Sequence, residues 1–263
     1  SMQTRGLITE AQRRAAAREP LNLNAGAGLF RAPHFCDLAL NASHETGPVA
    51  TSLDSPLQAL VETVAEKHRA SFAAQDIYGL AIVILDVRTG AIRALTGSPR
   101  YHDEAHAGQV NGALSRRSPG SALKPFVYAM ALDDGRITPS TMLKDAPLQF
   151  QQYTPRNFDS EFNGPVPARE ALIRSLNIPA LELTQQTGIS RLLERLRLLG
   201  LHTLDKTAGH YGLGLILGDG EVTLLDLANA YACLARGGAF QPWTLREHPP
   251  AREEQSVPLF SPE

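Results

Sequence analysis

The sequence predicts an α+β fold, and three observations predict it. Residues 79–87 form a continuous apolar run rich in Ile and Val that ends at Arg88-Thr89-Gly90. That run is too short for an independent helix and reads as a strand buried on both faces. Residues 91–96 follow as a second strand, so the pair reads as a hairpin in an antiparallel sheet. From Ser118 onward the pattern turns helical. Strands in one stretch and helices in the next are the mark of an α+β chain.

The elements follow in order. Residues 7–19, rich in Ala and Arg, read as an exposed helix that Pro20 stops. Residues 20–52 carry scattered Pro, Gly and Asn without a sustained period and read as an irregular connecting segment. Asp54-Ser55-Pro56 opens a helix, with a capping side chain and a proline at its start. Its expected buried face runs through Leu57, Leu60, Val61, Val64, His68 and Phe72. Residues 121–134 are apolar nearly all round, which places that helix inside a domain. Residues 167–176 read as a helix, and residues 179–199 as two, divided at Gly188. Residues 223–235 close with Gly237 and open on a Thr223–Asp226 pair resembling a capping box. Beyond Gly238 the chain is Pro-rich and polar.

Composition removes several functions. The formal net charge of -2 supplies no positive field for nucleic acid. No run of eighteen apolar residues spans a membrane, and no secretory h-region is present. The opening Ser1-Met2 reads as a scar of tag removal, so native residues are expected before it. Cys233 lies in an apolar helical run, where a thiol packs as a small hydrophobe, and a bond to Cys36 is not expected. His102-Asp103-Glu104-Ala105-His106 lacks the spacing of a helical zinc site, so neither a metal nor a cofactor is expected. Gly212-Leu213-Gly214 and Gly218-Asp219-Gly220 lack the lysine and hydroxyl of a phosphate loop and read as turns.

The chemistry centres on Arg117-Ser118-Pro119-Gly120-Ser121-Ala122-Leu123-Lys124-Pro125-Phe126. Here S-x-x-K opens a buried helix, and residues three apart share a helical face. The Lys124 stem can therefore reach the Ser121 hydroxyl. Serine is a poor nucleophile until a neighbour takes its proton, and a desolvated lysine can do so. The first helical turn also offers unpaired N–H groups to a developing oxyanion. Ser175-Leu176-Asn177 sits on a turn between two helices. Ser175 could pass a proton between Lys124 and a leaving amine, and Asn177 could hold a substrate amide. Without the upstream S-x-x-K, these two residues would read simply as the end of a helix.

With S-x-x-K followed by S-x-N, the sequence resembles the class A penicillin-binding proteins, and within them the penicillin-binding protein 1C type. Thr51-Ser52-Leu53-Asp54, Asp86-Val87-Arg88-Thr89-Gly90, Asn111-Gly112-Ala113, Asn157-Phe158-Asp159 and Gly164-Pro165-Val166 carry the resemblance along most of the chain. It implies a penicillin-binding protein/serine β-lactamase-like fold, with an antiparallel sheet flanked by helices and the site between sheet and helical lobe. Residues 53–263 would be the transpeptidase domain, and residues 1–52 the linker from an upstream glycosyltransferase domain. The activity implied is peptidoglycan D,D-transpeptidation on stem peptides, with β-lactams acylating Ser121. The place implied is the periplasmic face of the inner membrane, beside other cell-wall synthesis proteins. The family's third motif, a K-T/S-G strand, has no copy here. Lys206-Thr207-Ala208-Gly209 lacks the glycine at the third position and precedes the 223–235 helix, so it reads as a loop. The chain is expected to stop before the true motif. Two rival readings stand: a D,D-carboxypeptidase or β-lactamase-like hydrolase, and a non-catalytic domain that binds peptidoglycan or a partner.

Overall fold

In the computed structural model, residues 2, 5–18, 31–43, 47–148, 155–158, 160–247 and 256–261 are described. The chain divides into two compact units, Ser1–Arg31 and Ala32–Glu263. The first holds helix α1 (Glu10–Arg18). Thr9 and Gln12 cap it reciprocally, each side chain accepting from the other's backbone N–H. The stop expected at Pro20 lies outside the described residues.

The second unit opens on a helix that the sequence reading missed, α2 (Pro33–Ala42). Proline at its first position starts it, and His34 and Phe35 are its buried side chains. Leu38 and Ala39 pack beside Phe35 at helical spacing, but this short pattern is set among scattered Pro, Gly and Asn that read as a loop. Helix α3 (Ser55–Phe72) starts as expected, with the Asp54 carboxylate accepting from Leu57 N–H at 2.9 Å. Its buried stripe differs from the expected one. Gln58, Val61 and Ala65 are buried, whereas Leu60 is 58% exposed and His68 stacks on Phe72 at the surface. Polar Gln58 goes inside because its amide exchanges two hydrogen bonds with the backbone of Leu95.

That backbone belongs to the hairpin. Strands β1 (Ile82–Leu85) and β2 (Ile92–Thr96) pair antiparallel, Ile82 opposite Thr96, with an irregularity at Ile84/Leu85. Thr244 continues the pairing beside Ala91. β2 is largely buried, but β1 is only half-buried along its length, not enclosed on both faces. The hairpin, Phe35 and Leu225 share one apolar cluster.

The helical lobe forms the larger cluster. Its centre is α4 (Lys124–Asp133), whose Phe126, Val127, Met130 and Ala131 are almost wholly buried. Each such side chain stabilises the fold by roughly 1.5–3 kcal/mol if large. Before α4, residues Gly120–Leu123 wind as a 3₁₀ turn, not as the α-helix expected from Ser121. Pro125 explains the difference. It has no N–H to give Ser121 O, so Lys124 N–H bonds that carbonyl instead.

Strands β3 (Met142–Asp145) and β4 (Gly164–Pro167) form a second antiparallel pair. They lead into α5 (Ala168–Ile173), α6 (Asn177–Thr187) and α7 (Ile189–Leu198), the last two divided at Gly188 as expected. Lys206-Thr207-Ala208-Gly209 runs into a one-turn helix, α8 (Ala208–Tyr211), and not a strand. Helix α9 (Leu224–Ala235) begins at Thr223, which accepts from Asp226 N–H and donates to its carboxylate. It buries the free thiol of Cys233. A short pair, β5 (Ala239–Phe240) and β6 (Val257–Pro258), closes the unit.

Candidate active site

Ser121 sits in the 3₁₀ turn with its side chain exposed, and its hydroxyl has no hydrogen-bond partner among the described residues. The turn is held by two distant residues, Gly218 and Tyr231. Ser118 Oγ donates to Gly218 O at 2.7 Å, and Tyr231 OH donates to Ala122 O at 2.8 Å. Gly218 adopts a φ of 108° against the backbone of Gly120, itself at φ 53°. A Cβ on Gly218 would lie 2.6 Å from Gly120 N and Cα, so only glycine fits both the space and the dihedral.

Lys124, three residues on, is 1% exposed. Its ammonium donates to Ser175 O at 2.6 Å, Asn177 Oδ1 at 2.7 Å and Ser175 Oγ at 3.2 Å. All three donors of a protonated lysine are thereby used. Burial nevertheless lowers its pKa from 10.5 to about 8. The neutral amine needs only two acceptors, which leaves a lone pair for a hydroxyl proton.

Ser175 is exposed and held at φ 55°, the left-handed region that non-glycine residues seldom enter. That turn, between α5 and α6, aims its carbonyl and hydroxyl at the same ammonium. Asn177 is the first residue of α6. Its Nδ2 donates to Arg156 O at 2.7 Å, and its backbone N–H donates to Asn157 Oδ1 at 2.8 Å. The structure thus joins Lys124, Ser175 and Asn177 by hydrogen bonds and sets Ser121 one turn away at the surface.

A family model for the penicillin binding protein transpeptidase domain matches residues 80–258. The chain belongs to that family. Penicillin-binding protein 1C of Escherichia coli is 35% identical over 260 residues, 99% of this chain and 33% of that protein. The chain therefore spans about a third of that relative's length. A crystal structure of penicillin-binding protein 1A from Haemophilus influenzae is 32% identical over 64% of this chain and 25% of that one, with a TM-score of 0.56. A peptidoglycan glycosyltransferase structure from Burkholderia ambifaria shares the fold at a TM-score of 0.69 and 23% identity, over 81% of this chain and 70% of that one. The family's α+β transpeptidase fold is the architecture described above.

Several residues around this site carried no signal of a role at it in the sequence. Gly218 and Tyr231 lie about a hundred residues beyond the turn they support. Asp145 ends a short strand and is fully buried, yet nothing in its neighbours marks it. Asn157 stood within a recognised segment but without a role, and its neighbour Asp159 lies outside the described residues. His106, part of the rejected metal-like segment, bonds Asp103 and stacks on Tyr78 at 3.7 Å between ring centroids.

Proposed function

We propose that this chain performs the acyl-transfer step of peptidoglycan D,D-transpeptidation, with Ser121 as nucleophile. Neutral Lys124 takes the Ser121 proton as Oγ bonds to the penultimate D-Ala carbonyl carbon of a stem peptide. The oxyanion formed is met by backbone N–H groups of the tight turn. Ser175 Oγ then relays the proton to the departing nitrogen, the C–N bond breaks, and D-Ala leaves as the free amine. A neighbouring stem's amine attacks the ester, and the Ser121 hydroxyl is restored as the peptide bond forms. Asn177 holds both the lysine and the substrate amide. A β-lactam acylates Ser121 by the same attack, its ring opening in place of the departure of D-Ala.

The observation that carries this reading is the Lys124 ammonium, which links the S-x-x-K segment to both polar residues of S-x-N through distances of 2.6–3.2 Å. In the intact protein, the domain would follow a glycosyltransferase domain at the periplasmic face of the inner membrane. No helix among the described residues is long and apolar enough to cross a membrane. The sequence contains no K-T/S-G tripeptide; in the family that strand would line the cleft opposite S-x-N and bring a further oxyanion donor. Losing one such donor costs about a hundred- to a thousandfold in rate, so acylation here is slow.

The test follows a D-Ala-D-Ala peptide thioester or ester with an amine acceptor present. Transfer to the amine, with a persistent penicillin adduct in a parallel sample, is the expected result. Rapid hydrolysis of both compounds without transfer would replace the reading with a hydrolase. Binding without any covalent adduct would replace it with a non-catalytic domain.

A further inference from the structure

Behind Asn177 lies a polar cluster that the acyl-transfer chemistry does not use. Asp145 is 0% exposed. Its carboxylate accepts from Asn157 Nδ2 at 2.8 and 3.0 Å, from Asn163 N–H at 2.9 Å and from Asn163 Nδ2 at 2.7 Å. No cation pairs with it among the described residues. Burying a carboxylate without a cation is an expensive way to pin a loop, since apolar packing would serve as well. What a carboxylate adds is direction. It only accepts, so every group facing it must donate.

That requirement fixes the Asn157 amide. Its Nδ2 must face Asp145, where it also reaches Glu161 O at 2.8 Å. Its Oδ1 is then left to accept the Asn177 backbone N–H. Rotating the amide by half a turn would set oxygen against carboxylate and N–H against N–H, two repulsive contacts in a buried place. The next constraint follows along the chain. Arg156 O, one residue away, takes Asn177 Nδ2, so the Asn177 oxygen is the end turned toward Lys124. Two adjacent residues of one segment thus grip Asn177 by backbone and side chain, and a buried anion sets the polarity of the grip.

We propose that Asp145 and Asn157 are positioning residues for the acyl-transfer site, acting through Asn177 to place the Lys124 amine. Neither touches Lys124 in any hydrogen bond among the described residues, and neither contacts the reacting atoms. The proposal rests on the reading of Ser121 as nucleophile, and the experiment separates the two.

Stopped-time labelling with a fluorescent penicillin gives three quantities: the acylation rate constant at saturation, the concentration for half-saturation, and the fraction of chains labelled at completion. These are measured for the wild type, Asp145→Asn, Asn157→Ala and the double variant. Misplacing a catalytic group by about an ångström costs on the order of a hundredfold. Each single variant is therefore expected to lose roughly ten- to a hundredfold in the saturating rate constant, with nearly every chain still labelled. The double variant should be no slower than the slower single, because both break one chain of contacts. A merely structural role would lower the labelled fraction and leave the rate constant unchanged. That outcome, or multiplied losses in the double variant, overturns the proposal. If the alanine variant does not fold, Asn157→Ser deletes the bond to Asp145 with a smaller disturbance and is read by the same criteria. A wild type that never labels would sink the acyl-transfer reading alone. The grip is then judged from the crystal structure of the Asn157 variant. Asn177 Oδ1 should have left hydrogen-bond range of Lys124 Nζ, roughly 3.5 Å. Retention of the present 2.7 Å separation contradicts the proposal.

Discussion

Lys124 faces two demands that conflict. It is charged when it satisfies three acceptors, and in the proposed reaction it must be neutral to take a proton. A pKa lowered by burial to about 8 resolves them, since both forms are then within reach near neutrality. Acylation should rise with pH through a midpoint near 8, because only the neutral amine accepts the Ser121 proton. A flat profile from pH 6 to 9 in stopped-time labelling would remove the lysine from that role. The same shift has a stability consequence. Between about 8 and 10.5 the unfolded lysine keeps a proton that the folded one has lost, so stability rises with pH across that window. Urea midpoints of wild type, measured relative to Lys124→Met, should climb there. Lys124→Arg keeps a cation that cannot be deprotonated and should acylate as poorly as Lys124→Ala. At this scale the sequence was informative where chemistry imposes a spacing. Ser121, Lys124, Ser175 and Asn177 lie within short motifs, and the last three meet in space. Asp145 and Gln58 were invisible because a buried polar residue is defined by partners far along the chain. Leu60 and His68 misled for the same reason, since a helical stripe cannot show that Gln58 has backbone partners waiting inside.

Among the elements, the turn before α4 carries the most consequence. Pro125 forces it into 3₁₀ form, and contacts from Gly218 and Tyr231 hold it there. Gly218→Ala imposes a left-handed φ on alanine and drives its Cβ into Gly120. The dihedral alone costs about 1–2 kcal/mol. Thermal unfolding should register at least that loss, and labelling of the folded variant should fall as the Ser121 turn shifts. An alanine variant with unaltered stability and labelling would mean that the turn does not depend on this contact. Tyr231→Phe deletes one hydrogen bond to a backbone carbonyl and should cost about 0.5–1.5 kcal/mol by urea denaturation. The helices were legible in the sequence because their caps and periods are local, as at Asp54, Gly188 and Thr223. α2 was not, since its short Phe35, Leu38 and Ala39 spacing lies within a stretch of scattered Pro, Gly and Asn. The 3₁₀ form was not read either, although Pro125 was in plain view. An apolar run dominates such a reading, whereas the missing N–H acts only on the turn before it.

Across the whole molecule, a sheet-bearing part and a helical lobe each have their own apolar cluster, and the candidate site lies at the entry to the central helix of the lobe. The hairpin could be foreseen from β-branched runs, but the depth of β1 could not, because burial depends on what packs across it. The absent K-T/S-G tripeptide belongs to this scale, since under the proposed function it concerns a wall of the cleft and not a residue within it. Joining a K-T-G-bearing strand from a relative to the same chain should raise the penicillin labelling rate by about a hundredfold or more. Equal rates would bring Lys206-Thr207 back as a candidate for that wall. Whether Ser121 is the acylated nucleophile is decided by locating the adduct. Tandem mass spectrometry of the penicillin-treated chain, digested with trypsin, isolates a peptide that contains both Ser118 and Ser121. The penicilloyl mass is expected on Ser121, with Ser118 and Ser175 unmodified and no adduct in Ser121→Ala. The added mass on Ser118 or Ser175, with Ser121 free, would contradict it.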